Sequence, residues 1–245
     1  INDLVDTETL AYLLQYDTVY GKYDKEVTHA ENTLIVDGQK YKVFAEKEPQ
    51  NLPWKDLGVE TVIESTGLFC TEEKMKLHVQ AGAKNVMLSA PAKEGDVATH
   101  IMGVSEIEGE AVCHSNASCT TNSVAPPVKV LHDALTVKKA ILSTIHAYTA
   151  DQNLIDAPHK DLRRGRSAAE NIVPTSTGAA QATAEVIPDL KNKFDGIALR
   201  VPIPIGSLSD ITMVVGKPTT VEEINTLLTD AAATERYKGI LGVTN

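Results

Sequence analysis

The chain lacks any apolar run near the ~18 residues that a membrane-spanning helix needs, so no transmembrane segment is expected. It also lacks a charged-then-apolar leader, the usual sign of secretion. Positive charge is short: 23 Lys and Arg stand against 33 Asp and Glu, a net charge of −10. A field of that sign does not recruit nucleic acid or anionic membrane. Repeats and low-complexity tracts are missing. Cysteine is scarce, with Cys70, Cys113 and Cys119 an odd set without framework spacing. That points to free thiols in a reducing compartment, and a cytoplasmic location is expected.

What is present fits a globular protein of one large or two modest domains. The 245 residues are 42% apolar and 23% charged, enough to bury a substantial core. The chain opens on Ile1 and closes without a terminating helix or tail, so it reads as a fragment. Residues 6–16 suit a helix capped by Asp6, with Leu10, Leu13 and Leu14 on one face. Thr33–Val36 and 39–44 flank Asp37-Gly38, a hairpin signature. A β-branched run at 59–64, a helical stretch at 71–81 and a strand at 84–88 give a β-α-β rhythm and argue for a parallel sheet.

Beyond residue 118 the pattern changes, and we divide the chain there, into 1–118 and 119–245. Val124, Val128, Leu131 and Leu135 recur at helical spacing. Pro126 and Pro127 sit early in that helix and predict a kink or a late start. A strand over 138–148 follows, then a polar loop over 151–171, of a length more often functional than idle. A helix at 178–186, strands at 197–201 and 209–215, and a helix at 219–233 with a Thr219/Glu222 capping box complete the reading.

The chemistry centres on residues 115–122, SNASCTTN. Cys119 among hydroxyls at a helix start has two readings. A buried, inert cysteine is one. A nucleophile is the other: the positive end of the helix dipole favours thiolate, and first-turn N–H groups can hold an oxyanion. A nucleophilic thiol needs a base, usually histidine. Of seven histidines, His146 ends the strand that returns from the Cys119 helix, so both reach one sheet edge. A hydrogen-bonded core histidine is its bland alternative. His132 lies over three turns along the Cys119 helix, too far, and the others read as solvated.

Candidate anion sites follow. TSTGAA at 175–180 opens an Ala-rich helix, suited to phosphate or to ordinary N-capping. Arg200 ends a strand-like run, where anion contact is more natural than packing. DLRRGR at 161–166 is a basic knot in an acidic chain: a solvated loop, an anion site or a subunit contact. Asp3 and the Glu64-Ser65-Thr66-Gly67 segment stand at strand ends, where dinucleotide folds bind ribose and ligand. No metal ligand set is read.

Taken together, SNASCTTN, HAYT at 146–149, DLRRGR, TSTGAA, ALRVP at 198–202 and KGILG at 238–242 resemble the phosphorylating glyceraldehyde-3-phosphate dehydrogenase family, in order along essentially the whole chain. The resemblance implies an α/β fold: a truncated Rossmann-type dinucleotide-binding domain, then an α+β catalytic domain with a mostly antiparallel sheet. It implies Cys119 as nucleophile and His146 as base, with Ser118, Thr120, Thr177 and Gly178 for inorganic phosphate. It implies Thr149, Asp151 and Arg200 around the substrate's own phosphate and the cofactor's nicotinamide ribose, with Arg164 of the basic loop also phosphate-binding. Asp3, Ser65, Thr66, Gly67 and Ser89 match cofactor-contacting segments. The implied partners are glyceraldehyde 3-phosphate and inorganic phosphate, and the implied assembly is a homotetramer. Asp3 would repel a 2′-phosphate and favours NAD. Pro158 matches NAD-specific members and Ala157 dual-specific ones. Departures are a missing glycine-rich first turn, Ser123 in place of a second thiol, a doubled proline, and Ile205-Gly206-Ser207 for Asn-Val-Ser. Two alternatives stand beside this one: erythrose-4-phosphate dehydrogenase, against which TSTGAA argues, and a catalytically silent assembly fragment. A cysteine hydrolase has only one Cys and one His to support it.

Overall fold

The structure is a computed structural model, and it describes residues 1–106 and 110–244. The chain forms two compact units that interleave: residues 1–62 with 73–86, and residues 63–72 with 87–245.

In the first unit, α1 (Thr7–Gln15) begins at Asp6, whose carboxylate accepts from the Thr9 N–H at 2.8 Å. The expected cap is present, but the buried face is not the expected one. Ala11 is buried while Leu13 and Leu14 are exposed, because α1 packs on a small sheet through a close-approaching alanine. After the short strands β1 (Tyr16–Asp17) and β2 (Gly21–Lys22), strands β3 (Val27–Ala30), β4 (Thr33–Val36) and β5 (Gln39–Lys42) form an antiparallel sheet. Asp37 and Gly38 both take positive φ, 50° and 76°, as a type I′ hairpin turn requires. A second core gathers Leu52, Trp54, Val62, Ala81 and Ala83. The Trp54 indole N–H donates to His78 Nδ1 at 3.2 Å. His78 is therefore a satisfied core histidine rather than a solvated one.

The β-α-β rhythm is realised as β6 (Thr61–Glu64), α2 (Glu72–Gln80) and β7 (Asn85–Leu88). In the second unit the ends of β6 and β7 lie in a four-stranded sheet with β8 (Ala98–Thr99) and β9 (Cys113–Ser115), in the order β6-β7-β9-β8. Strands β8 and β9 pair in parallel.

Helix α3 (Cys119–Leu135) opens on Ser118, whose Oγ accepts from the Thr121 N–H at 3.1 Å. The expected late start is not realised: α3 begins at Cys119 and is continuous through Pro126 and Pro127. Burial outweighs the lost bonds, since Val124, Ala125, Pro126 and Val128 all enter the core. Strands β10 (Val137–Ala147), β11 (Val173–Ser176), β12 (Phe194–Val201) and β13 (Ser207–Val215) form a sheet in the order β11-β12-β10-β13. Two of its pairings are antiparallel and the central β10/β12 pairing is parallel. Between β11 and β12 lies α4 (Ala179–Val186). Residues 151–171 carry no helix or strand, as expected. Helix α5 (Val221–Ala233) starts one residue later than its capping box suggested: Thr220, not Thr219, accepts from the Glu223 N–H, and the Glu223 carboxylate takes the Thr219 hydroxyl instead. No helix among the described residues is long and apolar enough to cross a membrane.

The register sorts side chains by face. One face of the β10–β13 sheet presents Leu142, Phe194 and Ala198 to the core that α3 and α4 cover. His146 and Arg200 have the same parity and are register partners in the parallel pairing, so both stand at the carboxyl end of that face.

Candidate active site

The thiol and the imidazole are brought together by the fold. Cys119 is the first residue of α3 and is exposed, and its Sγ lies 3.3 Å from His146 Nε2. The pairing follows from the topology: α3 leads away from the sheet edge and β10 returns to it.

The approach to Cys119 is shaped by unusual backbone. Ala117 has φ of 57°. Its N–H donates to Ser115 Oγ at 3.0 Å, and that hydroxyl donates to the Ala90 carbonyl at 2.7 Å. The Asn122 side-chain amide donates to the carbonyls of Asn116 and Ser118, at 2.7 and 2.9 Å, across the bend. Sequence reasoning missed Asn122. The signal was available as an amide four residues after the cap, where it can reach back over the helix start.

Behind the imidazole stands Arg200. Its Nη1 lies 2.7 Å from His146 Nδ1 and 3.2 Å from the Ala147 carbonyl, which itself is 2.8 Å from Nδ1. Burial lowers the Arg200 guanidinium below its ordinary value, and the charge of Arg164 lowers it further. Cys119 and Asp151 pull in the opposite direction.

The loop residues form a second group. Arg164 donates through Nη1 to Asp151 at 2.6 Å and through Nε to the Thr175 hydroxyl at 2.8 Å, with Nη2 also bonded to that hydroxyl. Thr175, not foreseen as a partner, thus fixes the guanidinium. His159 Nε2 stands 3.9 Å from the other Asp151 oxygen. Thr149 and Gln152 exchange bonds in the turn after β10: the Gln152 N–H donates to the Thr149 carbonyl, and the Thr149 N–H to Gln152 Oε1.

The hydroxyls around the thiol have local duties. Ser118 caps α3 and bonds the Thr121 hydroxyl at 2.8 Å, and Thr120 is buried. Thr177 accepts from the Ala179 N–H at 3.2 Å, supplying the cap that Gly178 cannot. Gly178 and Ala117 line one cavity of about 410 Å³, so the α4 start and the Cys119 loop share a solvent space.

The cofactor-type residues sit at strand ends. Ser65 follows β6 and Ser89 follows β7, and their hydroxyls bond at 2.8 Å. Thr66 is tied by its N–H to the Glu64 carboxylate at 2.7 Å. Gly67 has φ of 74°, and a Cβ built there would meet nothing within 4 Å, which leaves open backbone beside the hydroxyl pair. Such a donor set at the carboxyl ends of strands fits the ribose and amide groups of a dinucleotide. In the first unit, the Asp3 N–H joins the Phe44 carbonyl at 2.9 Å and its carboxylate accepts from the Val5 N–H. No cluster able to hold a metal ion occurs among the described residues.

Comparison with known families places relatives along the chain. Residues 1–72 match the profile of the glyceraldehyde 3-phosphate dehydrogenase NAD binding domain, and residues 118–245 match that of its C-terminal domain. The chain is 55% identical over 244 residues to the glyceraldehyde-3-phosphate dehydrogenase of Thermotoga maritima, covering 99% of this chain and 73% of that protein. It is 50% identical to the enzyme of Streptomyces coelicolor, covering 98% of this chain and 72% of the relative. The Geobacillus stearothermophilus enzyme gives the same three figures. The chain therefore belongs to the glyceraldehyde-3-phosphate dehydrogenase family, as an α/β, NAD-dependent oxidoreductase.

Proposed function

We propose that this chain oxidises glyceraldehyde 3-phosphate to 1,3-bisphosphoglycerate, as a phosphorylating, NAD-reducing dehydrogenase of glycolysis and gluconeogenesis. The observation that carries the reading is the 3.3 Å approach of Cys119 Sγ to His146 Nε2 at a helix N-terminus. The thiolate attacks the aldehyde carbon, and the carbonyl oxygen, taking a proton from solvent, becomes the hydroxyl of a hemithioacetal. The Cys119 N–H, at the positive end of α3, is the backbone donor placed to hold that oxygen, since the Thr121 and Asn122 N–H groups bond Ser118. NAD, when bound, supplies the hydride acceptor. His146 takes the hydroxyl proton, and Cys119 is left carrying a thioester, which inorganic phosphate displaces as an acyl phosphate. A thiol suits this sequence because its thioester stays reactive enough for phosphate to cleave.

The anion sites are assigned with it. Arg200, Thr149 and Asp151 serve the substrate's phosphate region. Ser118, Thr120, Thr177 and Gly178 serve inorganic phosphate, and Arg164, braced by Asp151 and Thr175, serves the phosphates from the loop. Asp3, Ser65, Thr66, Gly67 and Ser89 serve NAD. Residues 1–118 form the cofactor half and 119–245 the catalytic half, a division supported by the two family matches. A cytoplasmic homotetramer is the proposed working form. The far face of the β10–β13 sheet supports assembly, since Ile141, Ile197, Leu208 and Val214 are each more than half exposed there.

Turnover tests the proposal. Reduction of NAD with glyceraldehyde 3-phosphate should require phosphate, and erythrose 4-phosphate should be the poorer aldehyde. Oxidation that proceeds equally without phosphate overturns the assignment. Cys119→Ser should abolish turnover, and His146→Asn should slow it by roughly 10²–10⁴.

A further inference from the structure

The His146 ring nitrogen away from the thiol faces two groups with opposite demands. Arg200 Nη1 at 2.7 Å is purely a donor, since a guanidinium has no acceptor. The Ala147 carbonyl at 2.8 Å is purely an acceptor. Nδ1 of a neutral imidazole holds either a lone pair or a proton, so it serves one of them at a time. Paired with Arg200, Nδ1 keeps its lone pair and the ring proton sits on Nε2, facing Cys119 Sγ. In that form Nε2 donates to sulfur and cannot take a proton. Paired with the carbonyl, Nδ1 carries the proton and Nε2 holds the lone pair that a base needs. Arg200 Nη1 also lies 3.2 Å from the Ala147 carbonyl, so the guanidinium occupies both of the ring's choices together.

We propose that Arg200 is a positioning residue that sets the His146 tautomer, holding the ring as a donor to the thiolate until an anionic substrate draws the guanidinium away and turns the ring into a base. The proposal rests on the assignment of Cys119 and His146 as nucleophile and base. The exchange moves one proton between ring nitrogens through solvent. It changes no net charge and makes no bond to carbon. A second observation favours the anion's part. Arg164, the neighbouring guanidinium, is braced by Asp151, whereas no described carboxylate lies within ion-pair distance of Arg200. A half-buried cation with no carboxylate at ion-pair distance, and with Arg164 as a like-charged neighbour, is the one a phosphate would attract. The arrangement delays the base until the phosphate that marks the correct substrate has arrived.

Histidine ring nitrogens report the answer directly. The protein is labelled with ring-15N histidine, and His146 is assigned by its loss in His146→Asn. Long-range 1H–15N spectra are then recorded at a pH where the ring is neutral, without and with glycerol 3-phosphate, which carries the phosphate but no aldehyde. The ligand-free protein should show the proton on Nε2, and glycerol 3-phosphate should shift it to Nδ1. Arg200→Leu should show it on Nδ1 from the start and respond to nothing, while Arg200→Lys, which keeps a donor, should restore Nε2. A ligand-free wild-type ring protonated on Nδ1, or one unmoved by saturating glycerol 3-phosphate, overturns the proposal, and that comparison needs no variant to fold. A failure of the underlying assignment looks different: Cys119→Ser would then keep its turnover whatever the ring nitrogens report.

Discussion

Ala117, two residues before the thiol, holds a left-handed backbone that costs a residue with a Cβ roughly 1–2 kcal/mol. It is 2% exposed, so no freedom of the surface excuses it. What holds it is a short chain of bonds: Ser115 Oγ beneath and the Asn122 amide above, the latter spanning the carbonyls of Asn116 and Ser118. The bend lies just before Ser118, the cap on which α3 starts at Cys119. Asn122→Ala removes both amide bonds and should cost about 1–2 kcal/mol by urea unfolding, at about 1 kcal/mol per neutral bond. It should also slow alkylation of Cys119 by iodoacetamide, because the thiol loses its fixed place beside His146. Unchanged stability and alkylation together would show the clamp to be idle. SNASCTTN alone left Cys119 open between an inert cysteine and a nucleophile, and what the fold adds is the approach of its Sγ to His146 Nε2 at 3.3 Å. Asn122's own part was not legible, because it depends on a positive φ at Ala117 that composition does not encode.

Elements divide the same way, into those whose signals are local and those set by packing. The Asp37-Gly38 hairpin was legible because the turn residues alone dictate its geometry. The strand β10 and the helix α4 were legible by period and composition. Strands β8, β9 and β11 were not, because two to four residues give no period, and only their pairing makes them strands. Helix α3 shows packing overruling a local signal. Pro126 and Pro127 lack the N–H groups that would bond the Asn122 and Ser123 carbonyls, yet the helix continues because its face is buried. Pro127, only half-buried, keeps the conformational cost with less of the packing return. Pro127→Ala restores one bond and relieves a clash worth up to about 3 kcal/mol, against a loss of about 0.4–1 kcal/mol from a freer unfolded chain. Its ring also lines an apolar groove with Leu131 and Ile224, which trims the gain. The substitution should therefore raise the urea midpoint, by the equivalent of about 1–2 kcal/mol. A lower midpoint would mean that the ring's contacts in the groove outweigh the missing bond.

At the scale of the whole molecule the acidic balance and the placement of individual charges make separate predictions about pH. Asp6, Asp17, Asp37, Glu60, Asp161 and Glu222 all titrate below their ordinary values of 3.8 or 4.5, through bonds from N–H groups, hydroxyls, Lys25, Lys84 and Arg163. A depressed carboxylate adds stability that is complete above its unfolded value and disappears as pH falls through its folded one. These six therefore place an acid limb below about pH 4. His100 adds an earlier limb. Burial, and then the His114 ring whose Nδ1 lies 3.0 Å from His100 Nε2, lower it from 6.5, while a bond from the Glu106 backbone opposes them. The unfolded chain thus binds this proton more readily than the folded one, so the stability tied to a neutral His100 is complete above 6.5 and lost as pH falls below it. Glu185, which accepts from the Thr99 hydroxyl beside this pair, is the nearby carboxylate that could soften the effect. Unfolding free energy measured from pH 8 to pH 3 should accordingly fall in two stages, one beginning near 6.5 and one below about 4. His100→Gln keeps a neutral polar side chain and should erase the first stage while leaving the second. A single acid limb in the native protein, or a first stage that persists in His100→Gln, would place the early loss elsewhere than at the histidine pair.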